Sequence, residues 1–237
     1  MRLRTGRWIV AAGLVASAVS GAWAAAVPIG EDEPVRVNTL SGAYLAARIA
    51  ESDNDLSAAI AYYRRALAFD PDNRTVQQSL LLGLISQGRF DEALPFAEKL
   101  KDTPEVERFS RLALGVDAIR QGRYDDAEYW LKLSLESDLD RLITGLMTAW
   151  TRLGDGKGEE GIAFLDSLSG PEWYDLFVAY HRALIAERAG DAATARAAFA
   201  TAADNLSAAG AAPETFLRAL EAQAGFLARA GERDAAL

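Results

Sequence analysis

The chain has 237 residues, half of them hydrophobic and a quarter charged, enough to bury a sizeable core and too polar for a multi-span membrane protein. It has no cysteine and one histidine, His181, which excludes disulfide scaffolds, thiolate catalysis, cysteine-bound zinc and chemistry that needs two imidazoles. The formal charge of −9 argues against nucleic-acid and anionic-membrane surfaces, and 47 alanines against 7 prolines favour helix over sheet.

Arg2, Arg4 and Arg7 precede an uncharged apolar run from Trp8 to Val19, and small residues follow in Ala22-Trp23-Ala24 and Ala24-Ala25-Ala26. A basic head, an apolar middle and a small-residue exit form the layout of a secretory signal, here 1–26, cleaved after Ala24 or Ala26. The rival reading is an uncleaved anchor, since Trp8 to Ile29 is nearly long enough to span a bilayer; Gly13, Ser17, Ser20 and Gly21 dilute that run. The expected location is beyond the inner membrane, periplasmic or envelope-associated in a bacterium, with no stable membrane anchor after cleavage. Loss of the three arginines takes the formal charge from −9 to −12. Residues 27–39, acidic and Pro-containing, read as a flexible leader.

The remainder repeats every 34 residues. Asn54, Gly88, Gly122, Gly156 and Gly190 keep that step without a slip, and five residues beyond them lie Ala59, Ala93, Ala127, Gly161 and Ala195. Tyr63, Ala97, Leu131, Leu165 and Phe199 form another column, as do Ala66, Leu100, Ser134, Leu168 and Ala202, and, before the turn, Ala47, Leu81, Gly115, Ala149 and Ala183. Within each unit the pattern is that of two helices. Leu80, Leu81, Leu84 and Ile85 mark an apolar helical face, Gly88 ends that helix in a left-handed cap, and Phe90, Ala93, Leu94 and Ala97 resume the period. Asp91 and Glu92 occupy the new helix's first turn, where the dipole favours negative charge. One such pair cannot bury both its faces, so stacking on the next unit stabilises the array.

These columns resemble the tetratricopeptide repeat. The stretch Asp53-Asn54-Asp55-Leu56, with Ala59, Tyr63, Ala66 and Asp70-Pro71-Asp72-Asn73, carries the resemblance, as does Arg89-Phe90-Asp91-Glu92-Ala93-Leu94. It implies an all-α, right-handed superhelical solenoid of antiparallel helix pairs over 40–237, with about five repeats (40–73, 74–107, 108–141, 142–175, 176–209) and a partial sixth (213–237). The fourth unit departs most. Gly158 stands where the others have Leu56, Phe90 and Tyr124, and Arg152 stands in a column of Ala50, Leu84, Ala118 and Ala186, so a rotated register or a loose turn is expected there. Past the fifth unit, Gly231 and Ala236 restart the pattern after about seven extra residues near Asn205 to Pro213. The apolar face of Phe216, Leu220 and Phe226 is expected to lack a partner helix, which makes self-association through the last helix a further expectation.

Chemical motifs are absent. Leu153-Gly154-Asp155-Gly156-Lys157-Gly158 lacks the Ser or Thr and the preceding strand of a phosphate loop. Asp70-Pro71-Asp72-Asn73 lacks the alternating oxygens of a calcium loop. His181 has no second ligand or nucleophile at helical spacing, so no catalytic, metal or cofactor site is expected.

In the family that the columns resemble, the first helices line the concave side, where partner peptides lie. On them the 34-residue step gives Gln78, Leu112, Leu146 and Tyr180; Leu82, Val116, Trp150 and Leu184; Ile85, Ile119, Leu153 and Glu187. The expected groove is Leu112, Val116, Ile119, Leu146, Met147, Trp150, Tyr180, His181 and Leu184, with Phe177 at its edge; the bland alternative is inter-repeat core. The resulting expectation is a non-enzymatic adaptor for a protein or peptide partner, with basic segments favoured by the acidic charge. The alternative is the recruiting module of a larger enzyme.

Overall fold

The computed structural model describes residues 37–134, 137–205 and 210–236. The expected signal, both cleavage sites and residues 27–36 of the leader lie outside them, as do residues 206–209 within the expected insertion. The described residues hold eleven α-helices and no strand. Five successive pairs are α1 (Leu40–Ser52) with α2 (Leu56–Leu67), α3 (Arg74–Ser86) with α4 (Phe90–Leu100), α5 (Glu107–Arg120) with α6 (Tyr124–Lys132), α7 (Asp138–Gly154) with α8 (Gly158–Ser167) and α9 (Tyr174–Ala189) with α10 (Ala192–Ala203). Then come α11 (Pro213–Arg229) and a short 3-10 turn, Arg233–Ala236. Each helix packs on its neighbours in sequence, and α9 also touches α7 and α11. No described helix is long and apolar enough to cross a membrane.

The 34-residue period is set by the turns. Asn54, Gly88, Gly122, Gly156 and Gly190 all have positive φ, from 60° to 85°, and Gly231 joins them at 85°. In each turn the next N–H reaches back to the last turn of the helix: Arg89 N–H donates to the Leu84 carbonyl at 2.9 Å and Gly88 N–H to Ile85 at 3.0 Å. This paired closure satisfies carbonyls that the helix end leaves free, and it requires the left-handed residue at its centre. The following helices start by two devices. Asp55 and Asp191 accept a backbone N–H as side-chain caps of α2 and α10. Helices α4, α6 and α8 have no such cap and instead carry Asp91 and Glu92, Asp125 and Asp126, and Glu159 and Glu160 in their first turns.

The fourth turn is closed like the rest, contrary to the expectation of a loose or rotated unit: Lys157 N–H donates to the Arg152 carbonyl at 2.8 Å. Both departures have a packing reason. A Cβ on Gly158 would lie 2.8 Å from that of Ala189, so the start of α8 has no room for a side chain like Leu56, Phe90 or Tyr124. Arg152 turns sideways out of its column, its Nε donating to Glu128 at 3.0 Å and its guanidinium lying 4.7 Å from the Phe164 ring centroid.

Small residues let the helices of a pair approach. Ala59, Ala93, Ala127 and Ala195 are buried, and at the equivalent Gly161 a Cβ would meet the Ala149 carbonyl oxygen at 2.7 Å. The core falls into an N-terminal cluster from Val37 to Ala113, a C-terminal one from Leu142 to Phe226 and a smaller one of Leu176, Ala179, Ala202 and Ala219. Helix α5 buries Ser110, and Ser134 is buried just past α6. Ser134 Oγ donates to the Trp130 carbonyl at 2.9 Å, whereas the Ser110 hydroxyl has no partner.

Both ends differ from expectation. Val37 and Thr39 are fixed rather than flexible: Val37 joins the core, its carbonyl accepts from Arg65 Nε at 3.3 Å, and Thr39 caps α1. At the other end Phe226 is only 6 % exposed and stacks on Phe199 with ring centroids 5.5 Å apart, while Phe216 packs against the cluster of Leu176, Ala179, Ala202 and Ala219. The open position on α11 is instead Leu217, 58 % exposed, which stands 41 residues after Leu176, buried on α9. Leu220 and Ala224 are half-buried, and Leu227 packs against the C-terminal cluster.

Candidate partner-binding face

Helix α7 shows how one helix serves two surfaces and a core. Leu142, Gly145 and Ala149 are buried toward its partner α8. Leu139, Ile143, Leu146 and Trp150, at i, i+4, i+7 and i+11, share another face. Along it Leu139 is 54 % exposed, Ile143 38 % exposed, Leu146 buried and Trp150 half-buried. On α9 the same positions are Trp173 at the cap, 41 % exposed, then Phe177, Tyr180 and Leu184, all half-buried. On α5 they are Phe109, Leu112 and Val116, all half-buried, with exposed Glu105 ahead of the helix at the position of Leu139. Polar contacts tie the N-terminal ends of these helices together. Arg108 donates to Asp140 at 3.4 Å, between α5 and α7, and the Tyr174 hydroxyl of α9 donates to the Asp138 carbonyl of α7.

Of the residues expected in the groove, Leu146 is buried, and the other eight keep part of their surface open. Trp150, Tyr180 and Leu184 pack against the C-terminal core cluster while doing so. Met147 and His181 stand one position round the helix from that row. The Trp150 indole N–H donates to His181 Nδ1 at 2.9 Å, with the rings 88° apart in an edge contact and Tyr180 against the imidazole at 5.4 Å. Burial lowers the His181 pKa below 6.5. The bond needs an unprotonated Nδ1, so both facts fix the neutral ring with its proton on Nε2. His181 is an acceptor holding an aromatic in place.

Phe109, Leu139, Ile143 and Trp173 belong to the same face and were not among the expected residues. The signal was present, because Phe109, Ile143 and Phe177 keep the 34-residue step and Leu139 and Trp173 do so one turn earlier. The opposite side of α7 carries a separate cleft of about 500 Å³, floored by Thr144, Gly145 and Thr148 and walled by Tyr129 of α6 and Phe164 of α8. The Arg152–Glu128 pair lines it, together with Lys132 and Arg141.

No family model matches the chain, and no curated protein matches it. Among solved structures it is similar to PilW, a widely conserved type IV pilus biogenesis factor, at 21 % identity over 71 % of this chain and 78 % of that one, with a TM-score of 0.51. It is also similar to MamA (MSR-1 C2), at 17 % identity over 69 % of this chain and 94 % of that one, with a TM-score of 0.53. Both are tetratricopeptide-type helical solenoids. With the left-handed turn recurring at 34-residue steps and small residues at each helix crossing, the fold of this chain is that of the tetratricopeptide-repeat solenoids.

Proposed function

We propose that this protein is a non-catalytic interaction scaffold of the cell envelope that holds a protein or peptide segment on the face formed by α5, α7 and α9. The observation that carries this reading is the row of partly open apolar side chains, repeated on three adjacent helices at one position of the repeat. A monomer keeps few such contiguous rows in water unless something docks on them. The basic–apolar–small layout of residues 1–26 supports export, and the likeness to a pilus biogenesis factor accords with an envelope role. His181 is the one imidazole, and its Nδ1 is engaged by Trp150, which favours binding over catalysis.

The test places a charge on the face without cutting a core contact. Val116→Asp and Ile143→Asp should each abolish co-purification of the partner from the native host, with helicity and melting temperature close to wild type. Thr201→Asp, on the exposed side of α10, should leave capture intact. Equal capture by all three variants would remove this face as the binding site.

A second reading rests on the exposed Leu217 of α11. Leu217 stands exposed where the equivalent Leu176 is covered by a second helix, so copies of the chain could associate there. A mass in light scattering that falls on dilution, and that Leu217→Glu makes monomeric, would support it; a monomer at every concentration would dismiss it.

A further inference from the structure

We propose that the occupant of this face is a cationic amphipathic helix, and that it anchors at the N-terminal ends of α7 and α9. This inference rests on the docking reading above and adds the partner's chemistry and point of contact. Apolar surface on the face is unevenly exposed. Toward the C-terminal ends, Trp150 is held by His181 and Leu146 is buried. Toward the N-terminal ends, Leu139, Ile143 and Trp173 stand open, and Trp173 is steadied from behind by Tyr174 at 4.8 Å and Phe177 at 6.2 Å between ring centroids. A large aromatic held upright beside two exposed aliphatic side chains is the arrangement of an energetic anchor.

Charge around this patch decides the partner's sign. Glu105 stands at the position of Leu139 and Trp173 one unit earlier, and Glu172 precedes Trp173 and lines the same hollow; both are exposed and have no ion pair among the described residues. The cations nearby are engaged: Arg108 with Asp140 and the Phe109 ring, and Arg141 with Asp138. Arg218, exposed on α11 at the equivalent of Phe177, is the exception at the far edge. An apolar patch rimmed by free carboxylates attracts Lys or Arg flanking an apolar helical stripe and repels an acidic segment. The helix form follows from the row itself, since side chains at i, i+4 and i+7 on α7 form a ridge that fits the groove between the ridges of a second helix.

The test uses a dye-labelled synthetic helical peptide with leucine on one face and lysine on the other, and a twin in which glutamate replaces every lysine. Fluorescence anisotropy with the full chain should show binding of the lysine peptide only. Leu139→Ser with Ile143→Ser should weaken it by about tenfold or more, as expected for loss of anchor residues. Glu105→Gln with Glu172→Gln should weaken it by about threefold and flatten its salt dependence. Glu159→Gln with Glu160→Gln, exposed at the start of α8, should change nothing. If the α8 pair costs as much as the Glu105 and Glu172 pair, attraction is only to net charge and the inference fails. Equal binding of both peptides, lost in Val116→Asp, would keep the docking face and overturn the cationic partner. Binding of the lysine peptide that is insensitive to Leu139 and Ile143 would overturn the anchor.

Discussion

The indole N–H of Trp150 on α7 donates to Nδ1 of His181 on α9 at 2.9 Å, and this bond exists only while the imidazole is neutral. It makes one inter-helix contact of the inner face dependent on pH. Burial lowers the His181 pKa below 6.5 in the folded chain. The unfolded chain therefore binds this proton at a higher pH than the folded chain does. The stabilisation is fully present above about pH 6.5 and is lost as pH falls through the folded value, with a slope of at most about 1.4 kcal/mol per pH unit. Urea unfolding of wild type and His181→Gln across pH 8 to 5 should give curves that run parallel above pH 6.5 and converge below it. Parallel curves throughout would mean that His181 titrates normally.

The turn column makes a graded prediction. Gly88 has φ of +68° with open space around a Cβ, so Gly88→Ala should cost about 1 kcal/mol from the left-handed conformation alone. Asn54 has φ of +60° with a side chain already present, and Asn54→Gly should change stability by less than about 0.5 kcal/mol. Thermal unfolding checks both, and a larger loss at Asn54 than at Gly88 would deny the shared geometry.

Ser110 is fully buried with an unpartnered hydroxyl. Removing a buried polar group that makes no bond should help, so Ser110→Ala is expected to raise stability by about 1 kcal/mol. A loss of similar size would show that the hydroxyl is satisfied by water.

Gly161 lies where α8 touches the backbone of α7, 2.7 Å from a carbonyl oxygen for an added Cβ. Gly161→Ala should destabilise the chain by about 1–3 kcal/mol, as overpacking does, because backbone cannot rotate away as a side chain can. A neutral result in chemical denaturation would mean that the helix pair can separate freely.

Much of the fold was legible because one physical requirement recurs: a left-handed residue closes each turn, and a small residue follows where the helices cross. The inner face was legible as columns, but its exposure was not, since a leucine at helical spacing reads alike whether it is buried, as Leu146 is, or open, as Leu139 is. The Trp150–His181 bond was hidden for another reason. His181 belongs to the column of Met147, and a repeat pattern reports equivalent positions, not contacts between unlike ones. At the last helix the step of 41 residues puts Phe226 in the buried column of Ile185, and what the pattern did not reveal is that Leu217, in the column of the buried Leu176, stands exposed.

The central claim is that a partner lies on the inner face of α5, α7 and α9, and in-cell photo-crosslinking tests it most directly. A photoreactive residue replaces in turn Ile143, Trp150 and Trp173, with Gln78 of α3 and Thr201 of α10 as controls. The account predicts one discrete product, shared by the three inner-face sites and strongest at Ile143 and Trp173, with none from Thr201. A product from Thr201 alone, or none from the inner face of a chain that is exported and folded, would contradict it.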